Sequence, residues 1–353
     1  MIIKKLLIIL FLIPFFVIAE SPEIFKGEVL DITFEEDTII PEINLETFVQ
    51  DLKIKIIEDN NKEKIIDVKN DYIRLKKGDR VFVENTGNGT KEEGSFIIKE
   101  KDRTGPLFYF LIIFVSSIIF FGGMQGVRSV FSLFLSFVAI GYILIPAIMS
   151  GYSPVLISSA VATAILFIAI YFTHGFNRES TSAFLGTVIS VIVTGFLSYV
   201  GVKMAQFTGM GTEEAFILSL HGGVSIDFSG LLLGGIIIGT LGVLDDVAVT
   251  QSIVVREIYK LQKDMKFSDV YKRALSVGKE HVGAMVNTLA LAYTGASLPL
   301  ILIFYKSEYP VSLILSQEIF SVEIMRTVVG SIGLIFSVPL TTAFAVYLLR
   351  SKI

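Results

Sequence analysis

Residues 228–255 read FSGLLLGGIIIGTLGVLDDVAVTQSIVV, and Arg256-Glu257 follow at once. The stretch is apolar on both sides of two adjacent carboxylates, Asp245 and Asp246. As a helix, the window from Ile236 to Val255 spans the ~30 Å hydrocarbon core of a bilayer. The acids lie at the centre of that window. On insertion scales one Asp at such depth costs about 2.5–3.5 kcal/mol. Two carboxylates side by side are harder still to ionise together, so one is expected to keep its proton. Acids this costly to bury usually carry protons or cations, which makes the pair the leading candidate for function. If the span starts at Phe228 instead, the acids fall near its cytoplasmic end and are merely hydrated. The apolar Val247-Ala248-Val249 and Ile253-Val254-Val255 beyond them argue against that reading.

The rest of the chain agrees with a membrane class. Of 353 residues, 52% are hydrophobic and 18% charged, and the mean hydropathy is +0.69. That composition describes a multi-pass membrane protein with a modest soluble part. No cysteine is present, which excludes disulfides and thiolate metal sites. His174, His221 and His281 are scattered without metal-ligand spacing, and no phosphate-cradling GxxxxGK[ST] loop occurs. We therefore expect no metal, no cofactor and no catalytic residues. The basic residues cluster on one membrane-adjacent loop, not on a soluble face, which speaks against nucleic-acid binding.

Residues 1–19 read as a signal peptide or, alternatively, an uncleaved N-terminal helix. Lys4 and Lys5 precede the apolar run Leu6 to Ile18, and Val17-Ile18-Ala19 fits a small-residue cleavage site. Residues 20–104 read as a small all-β extracytoplasmic domain of about five strands. Phe25, Val29, Ile32 and Phe34 spread through a β-favouring stretch, and Leu52, Ile54 and Ile56 alternate with Lys53 and Lys55. Asp59-Asn60-Asn61 suggests a turn, and Lys77-Gly78-Asp79 a turn into the strand Arg80-Val81-Phe82-Val83. We see no catalytic constellation there, and a structural or protein-contact module is the plainer reading.

Residues 105–353 read as an α-helical bundle of about seven transmembrane helices. The expected spans are about 107–122, 130–148, 154–173, 182–200, 229–250, 281–304 and 326–348. Glu214 to Val224 is apolar but too short to span, and is expected to be interfacial or re-entrant. Basic residues sort the loops. Arg256–Glu280 carries Arg256, Lys260, Lys263, Lys266, Lys272, Arg273 and Lys279, and Arg128, Arg178 and the tail Arg350-Ser351-Lys352 fall on the same side. The positive-inside rule then puts the β domain outside and the C-terminus in the cytoplasm.

Other residues could complete a site around the acids. Thr250 follows Asp246 by one helical turn and shares its face, although Ser and Thr also bond their own helix carbonyls. Gly235, Gly239 and Gly242 form a small-residue stripe suited to close helix packing. Asn287 and Thr288 are polar within an expected span, so Asn287 should face the bundle interior, with the acids as a candidate partner or with plain packing as its role. His281 is placed either to relay protons or to be solvated at the interface.

The stretches Gly239-TLGVLDDVAVTQSIVVRE and His281-VGAMVNTLALAYTGASLPLILIF resemble the signatures of the YibE/F family of bacterial multi-pass membrane proteins. The resemblance covers nearly the whole chain after the signal segment, and it implies the inner or plasma membrane of a bacterial cell. More distantly, residues 181–350 resemble the core of SecF and RND-type transporters. That likeness implies Asp245 and Asp246 as a protonatable pair, with Asn287 and Thr288 on the facing helix. The pattern departs in having two extra spans at about 107–148, a small N-terminal domain, and no Lys well inside any span. A homo-oligomer or a second membrane subunit could supply what is missing. The sequence thus favours a proton- or cation-coupled transporter or translocation accessory. The alternative is a non-transporting scaffold or receptor that anchors the β domain. Intramembrane acid catalysis is disfavoured, because consecutive helical residues point about 100° apart.

Overall fold

Period-two alternation builds the N-terminal unit. The computed structural model describes residues 24–40, 45–57, 63–86, 96–221 and 226–350. The signal segment, the Asp59-Asn60-Asn61 turn, Gly222-Gly223 and the tail after Arg350 lie outside the described residues. Strands β1 (Ile24–Ile40), β2 (Leu45–Ile57), β3 (Glu63–Asn70), β4 (Arg80–Asn85) and β5 (Phe96–Lys101) form one antiparallel sheet in the order β3-β2-β1-β4-β5. Leu52, Ile54 and Ile56 are buried with Val29, Ile66, Val68, Val81 and Val83, while Lys53 stays exposed. Gly78 takes a positive φ of 86° in the turn before β4, as the Lys77-Gly78-Asp79 sequence predicts. Phe34, two residues after the partly buried Ile32, is exposed. Pairing with β2 slips twice, between Val29 and Asp31 and between Ile32 and Phe34, and such a slip turns side chains to the other face.

The helical part runs α1 (Thr104–Met149), α2 (Pro154–Phe172), α3 (Arg178–Ala205), α4 (Glu213–His221), α5 (Phe228–Leu261), α6 (Phe267–Ala296), α7 (Leu298–Tyr305), α8 (Val311–Ser316) and α9 (Glu318–Leu349). Helices α1, α2, α3, α5 and α9 are each long and apolar enough to cross a membrane, and α6 with α7 adds a sixth if that pair, bent by 63°, is one span. The expected break between the first two spans is a single residue. Gly123 has φ 54° and ψ −134° inside α1. A Cβ added at Gly126 would lie 3.0 Å from the carbonyl carbon of Ile118, eight residues back. Along a straight helix that separation is about 12 Å, so α1 turns sharply there.

Two expected boundaries shift. The basic segment 256–280 is largely helical: α5 continues to Leu261 and α6 begins at Phe267. The span expected at 281–304 bends at Ser297, just before Pro299, whose ring removes a backbone donor.

Helix α5 is the hub. It packs against α2, α3, α6 and α9. Leu233, Ile236, Ile237, Thr240, Leu241, Leu244, Val247, Ala248, Gln251, Ser252 and Val255 recur at helical spacing and are buried. Helices α3 and α9 meet along small residues. Gly186 opposes Thr341, with an added Cβ only 2.7 Å from the Thr341 Cα, and Gly333 opposes Thr194. The hydroxyls of Thr187, Ser190, Thr194 and Ser198 each donate to the carbonyl one turn back at 2.8 Å, so the seam buries them with their donors satisfied.

Candidate functional site

The acids sit at the middle of α5, a 34-residue helix about 51 Å long. Asp227 fixes its start by accepting from the Gly230 amide at 2.9 Å. Asp245 is half-buried and Asp246 is exposed. Both open onto a cavity of about 580 Å³ between α5, α1 and α2. Ser129, Ser132 and Ser136 from α1 line it, together with Thr173 and His174 at the end of α2 and Thr250 one turn beyond Asp246. Neither carboxylate forms an ion pair among the described residues. No cluster of three or more metal-ligating side chains occurs among them either.

Irregular backbone borders the cavity on two sides. Ile140–Leu144 in α1 and Ile168–Phe172 in α2 are π-helical, and Ile140, Ala169 and Ile170 line the cavity. Pro146, shortly after the first segment, lacks the amide that regular α-helical bonding would use. Single-turn π segments in α-helices are frequent at functional sites.

A second cavity of about 240 Å³ adjoins the first, and the two share His174, Val249 and Ile253. Arg256 Nη1 pairs with Glu179 Oε2 at 2.6 Å beside it. The positions Asp246, Val249, Ile253 and Arg256 are spaced three, four and three, so one stripe of α5 serves both cavities. The surrounding helix ends are tied together. Arg178 donates to the Leu348 carbonyl at 2.9 Å, and Tyr259 to the Val346 carbonyl at 3.3 Å. The segments assigned by sequence to one side, 174–180, the end of α5 and the end of α9, therefore meet at one end of the bundle.

Thr250 joins the acids as its spacing predicts. Asn287 and Thr288 do not: both are exposed, and the Thr288 hydroxyl donates to Ala284 of its own helix at 3.0 Å. The reason is rotational. Helix α6 turns Gly278 inward, where an added Cβ would meet the Gln251 amide at 2.8 Å. Asn287 follows by nine residues, two and a half turns, which puts it on the opposite side. The buried amide here is Gln251, whose Nε2 donates to the Ala274 carbonyl at 2.8 Å and to Thr342 Oγ1 at 2.7 Å. His281 does not line the cavity; its Nε2 is buried without a partner among the described residues.

The glycine stripe also differs from expectation. An added Cβ at Gly235 or Gly242 meets nothing within 4 Å, and one at Gly239 meets only the Tyr293 hydroxyl at 3.4 Å. The close approach uses Gly230 and Gly234 instead, which face Pro154 and Ser158 of α2. The two pairs follow one another along the helix with the same spacing of four, and sequence does not rank one above the other. Gly242 lines the acid cavity.

Sequence reading overlooked His174 and the α1 serines. A signal existed for both: Ser129, Ser132 and Ser136 are spaced three and four in an apolar segment, and Thr173-His174 ends an apolar span.

No curated protein and no solved structure matches the chain. The distant likeness to SecF and RND-type cores gains no support from these comparisons. The family model described as YibE/F-like protein matches residues 110–351, which leaves the β sheet outside the match. That match covers most of the chain, including every residue of the cavity, and the chain belongs to the YibE/F-like family.

Proposed function

We propose that this multi-pass membrane protein is a proton- or cation-coupled transporter or translocation accessory, with Asp245 and Asp246 as the coupling pair. One observation carries the reading: two unpaired carboxylates at mid-helix open onto a cavity lined by hydroxyls. Keeping an ionised carboxylate inside a bilayer is costly, and uptake of a proton or cation removes the charge. Hydroxyls and water in the cavity can solvate whichever form is present. Thr250, one turn from Asp246, would contribute a ligand or donor. The acids act as carriers, not as a catalytic dyad, because they follow each other on one helix and do not oppose each other across a substrate. The expected setting is a bacterial inner or plasma membrane, with the β domain extracytoplasmic and the C-terminus cytoplasmic. A homo-oligomer or a second subunit remains an expected partner besides lipid.

The test is proton uptake into proteoliposomes that hold a pH-sensitive dye, under an imposed pH gradient. Uptake by the wild type that is lost in the Asp245→Asn/Asp246→Asn protein supports coupling. A scaffold for the β domain would show no uptake, and would tolerate the double substitution in whatever partner contact it makes.

A further inference from the structure

We infer that His174 relays protons between the end of the bundle marked by Glu179 and Arg256 and the Asp245–Asp246 cavity, an inference that rests on the coupling role proposed for the acids. Two cavities adjoin at His174. They share three side chains, and two of those, Val249 and Ile253, cannot exchange protons. Among the described residues His174 is the one titratable group that borders both. A proton passing directly from one to the other goes by Val249, Ile253 and the imidazole of His174.

The imidazole is held where a relay needs it. Gly175 follows it with a positive φ of 84°, which ends α2. Asn177, the N-cap of α3, donates from Nδ2 to the His174 carbonyl at 2.9 Å while its Oδ1 accepts from the Ser180 amide at 2.7 Å. Gln125 Nε2 lies 3.4 Å from His174 Nδ1. With that amide donating to Nδ1, Nε2 is the nitrogen that carries the hydrogen of the neutral ring.

The charged groups around it set the direction of transfer. Asp245 and Asp246 of α5 line the cavity on one side of His174; Glu179 of α3 and Arg256 of α5 line the cavity on the other; α1 contributes Gln125 and serines. Half-burial draws the imidazole below its ordinary value, and the Asp246 charge opposes that shift. At neutral pH the ring is thus mostly neutral and free to accept. An ionised Asp246 raises its proton affinity. Once Asp246 is protonated that attraction is gone, so the ring does not retain a second proton.

The step is balanced. Water in the smaller cavity gives a proton to one ring nitrogen, and the imidazolium gives a proton to the Asp246 carboxylate. One N–H bond forms and one breaks, one O–H bond breaks and one forms, and a ring flip or tautomer exchange restores the start. No oxidant or co-reactant enters.

The test follows protonation of the acids themselves, so it does not depend on transport. The purified full-length chain is acidified by rapid mixing, and the rise of the carboxylic acid C=O infrared band is timed. The band belonging to the pair is identified by its loss in Asp245→Asn/Asp246→Asn. We expect His174→Ala to slow the rise about tenfold or more, with the final amplitude kept, and added imidazole to restore the rate. His174→Gln, which keeps a hydrogen-bonding side chain, should be equally slow and unrescued. An unchanged rate in His174→Ala overturns the relay. So does a slow rate that imidazole does not restore while the unfolding midpoint has fallen, since His174 is then structural. A normal relay signal without proton uptake in proteoliposomes would overturn the transport reading alone.

Discussion

Helix α5 turns two unlike faces to its neighbours. Towards α3, α6 and α9 it presents Thr240, Gln251 and Ser252, all buried, with the Gln251 amide nitrogen fully bonded. Towards α1 and α2 it presents Gly242, Asp245, Asp246 and Thr250 around open space. The polar residue types overlap, but their surroundings do not. On the closed side Thr240 and Gln251 are hydrogen-bonded to a helix carbonyl or a neighbouring helix, as low-dielectric packing demands, while the buried Ser252 hydroxyl has no partner among the described residues. On the open side two carboxylates border a cavity and form no ion pair among the described residues. Polar residues inside a membrane bundle thus divide by what fills the space next to them. A filled neighbour makes them glue, and an unfilled one makes them a candidate site.

The largest effect should come from the acids. Asp245→Asn with Asp246→Asn is expected to cut proton uptake to background, about a hundredfold or more, while the unfolding midpoint holds or rises. If the double variant fails to fold, the open face is structural after all and the contrast breaks. Next are the glycines. Gly186→Ala forces a Cβ against the Thr341 backbone and should cost about 1–3 kcal/mol in thermal or denaturant unfolding. Gly242→Ala meets nothing, so stability should stay level or gain up to about 1 kcal/mol from helix propensity. Equal losses at both positions would show that the cavity face is covered by something closely packed.

Gln251→Leu sharpens the same point from the polar side. It removes the two hydrogen bonds to the Ala274 carbonyl and the Thr342 hydroxyl, and should destabilise by about 1–3 kcal/mol without shifting the pH dependence of uptake. The smallest effect is expected at Asn287. With its side chain exposed on α6, Asn287→Leu should change stability by less than about 0.5 kcal/mol and leave uptake intact. Loss of uptake in that variant, together with a shift in oligomer size on chromatography, would place a second copy against α6 and revise where the site ends.

Much of this architecture was legible in residue order. The alternation of Leu52, Ile54 and Ile56 with lysines specified inward and outward faces, because strand side chains alternate whatever lies opposite. Apolar length and the central Asp245-Asp246 pair marked the span that matters, because the cost of burying charge depends on position along the helix. The Asp246–Thr250 spacing placed both on one face for the same local reason. Neighbour choice was not legible. Helical periodicity defines the faces of one helix but not which helix lies across from each, so Asn287 reads as a candidate partner for the acids and His174 is passed over. Gly230 and Gly234 repeat the spacing of Gly235 and Gly239, and one residue of rotation, about 100°, separates a packed stripe from an open one. The chain by itself determined where apolar length, strand period and buried charge fall, since these are properties of consecutive residues. Only the tertiary structure decided that α1 and α2 wall the acid cavity, that Gln251 is the buried amide, and that His174 stands between two cavities. Those depend on how helices distant in sequence fill space against one another.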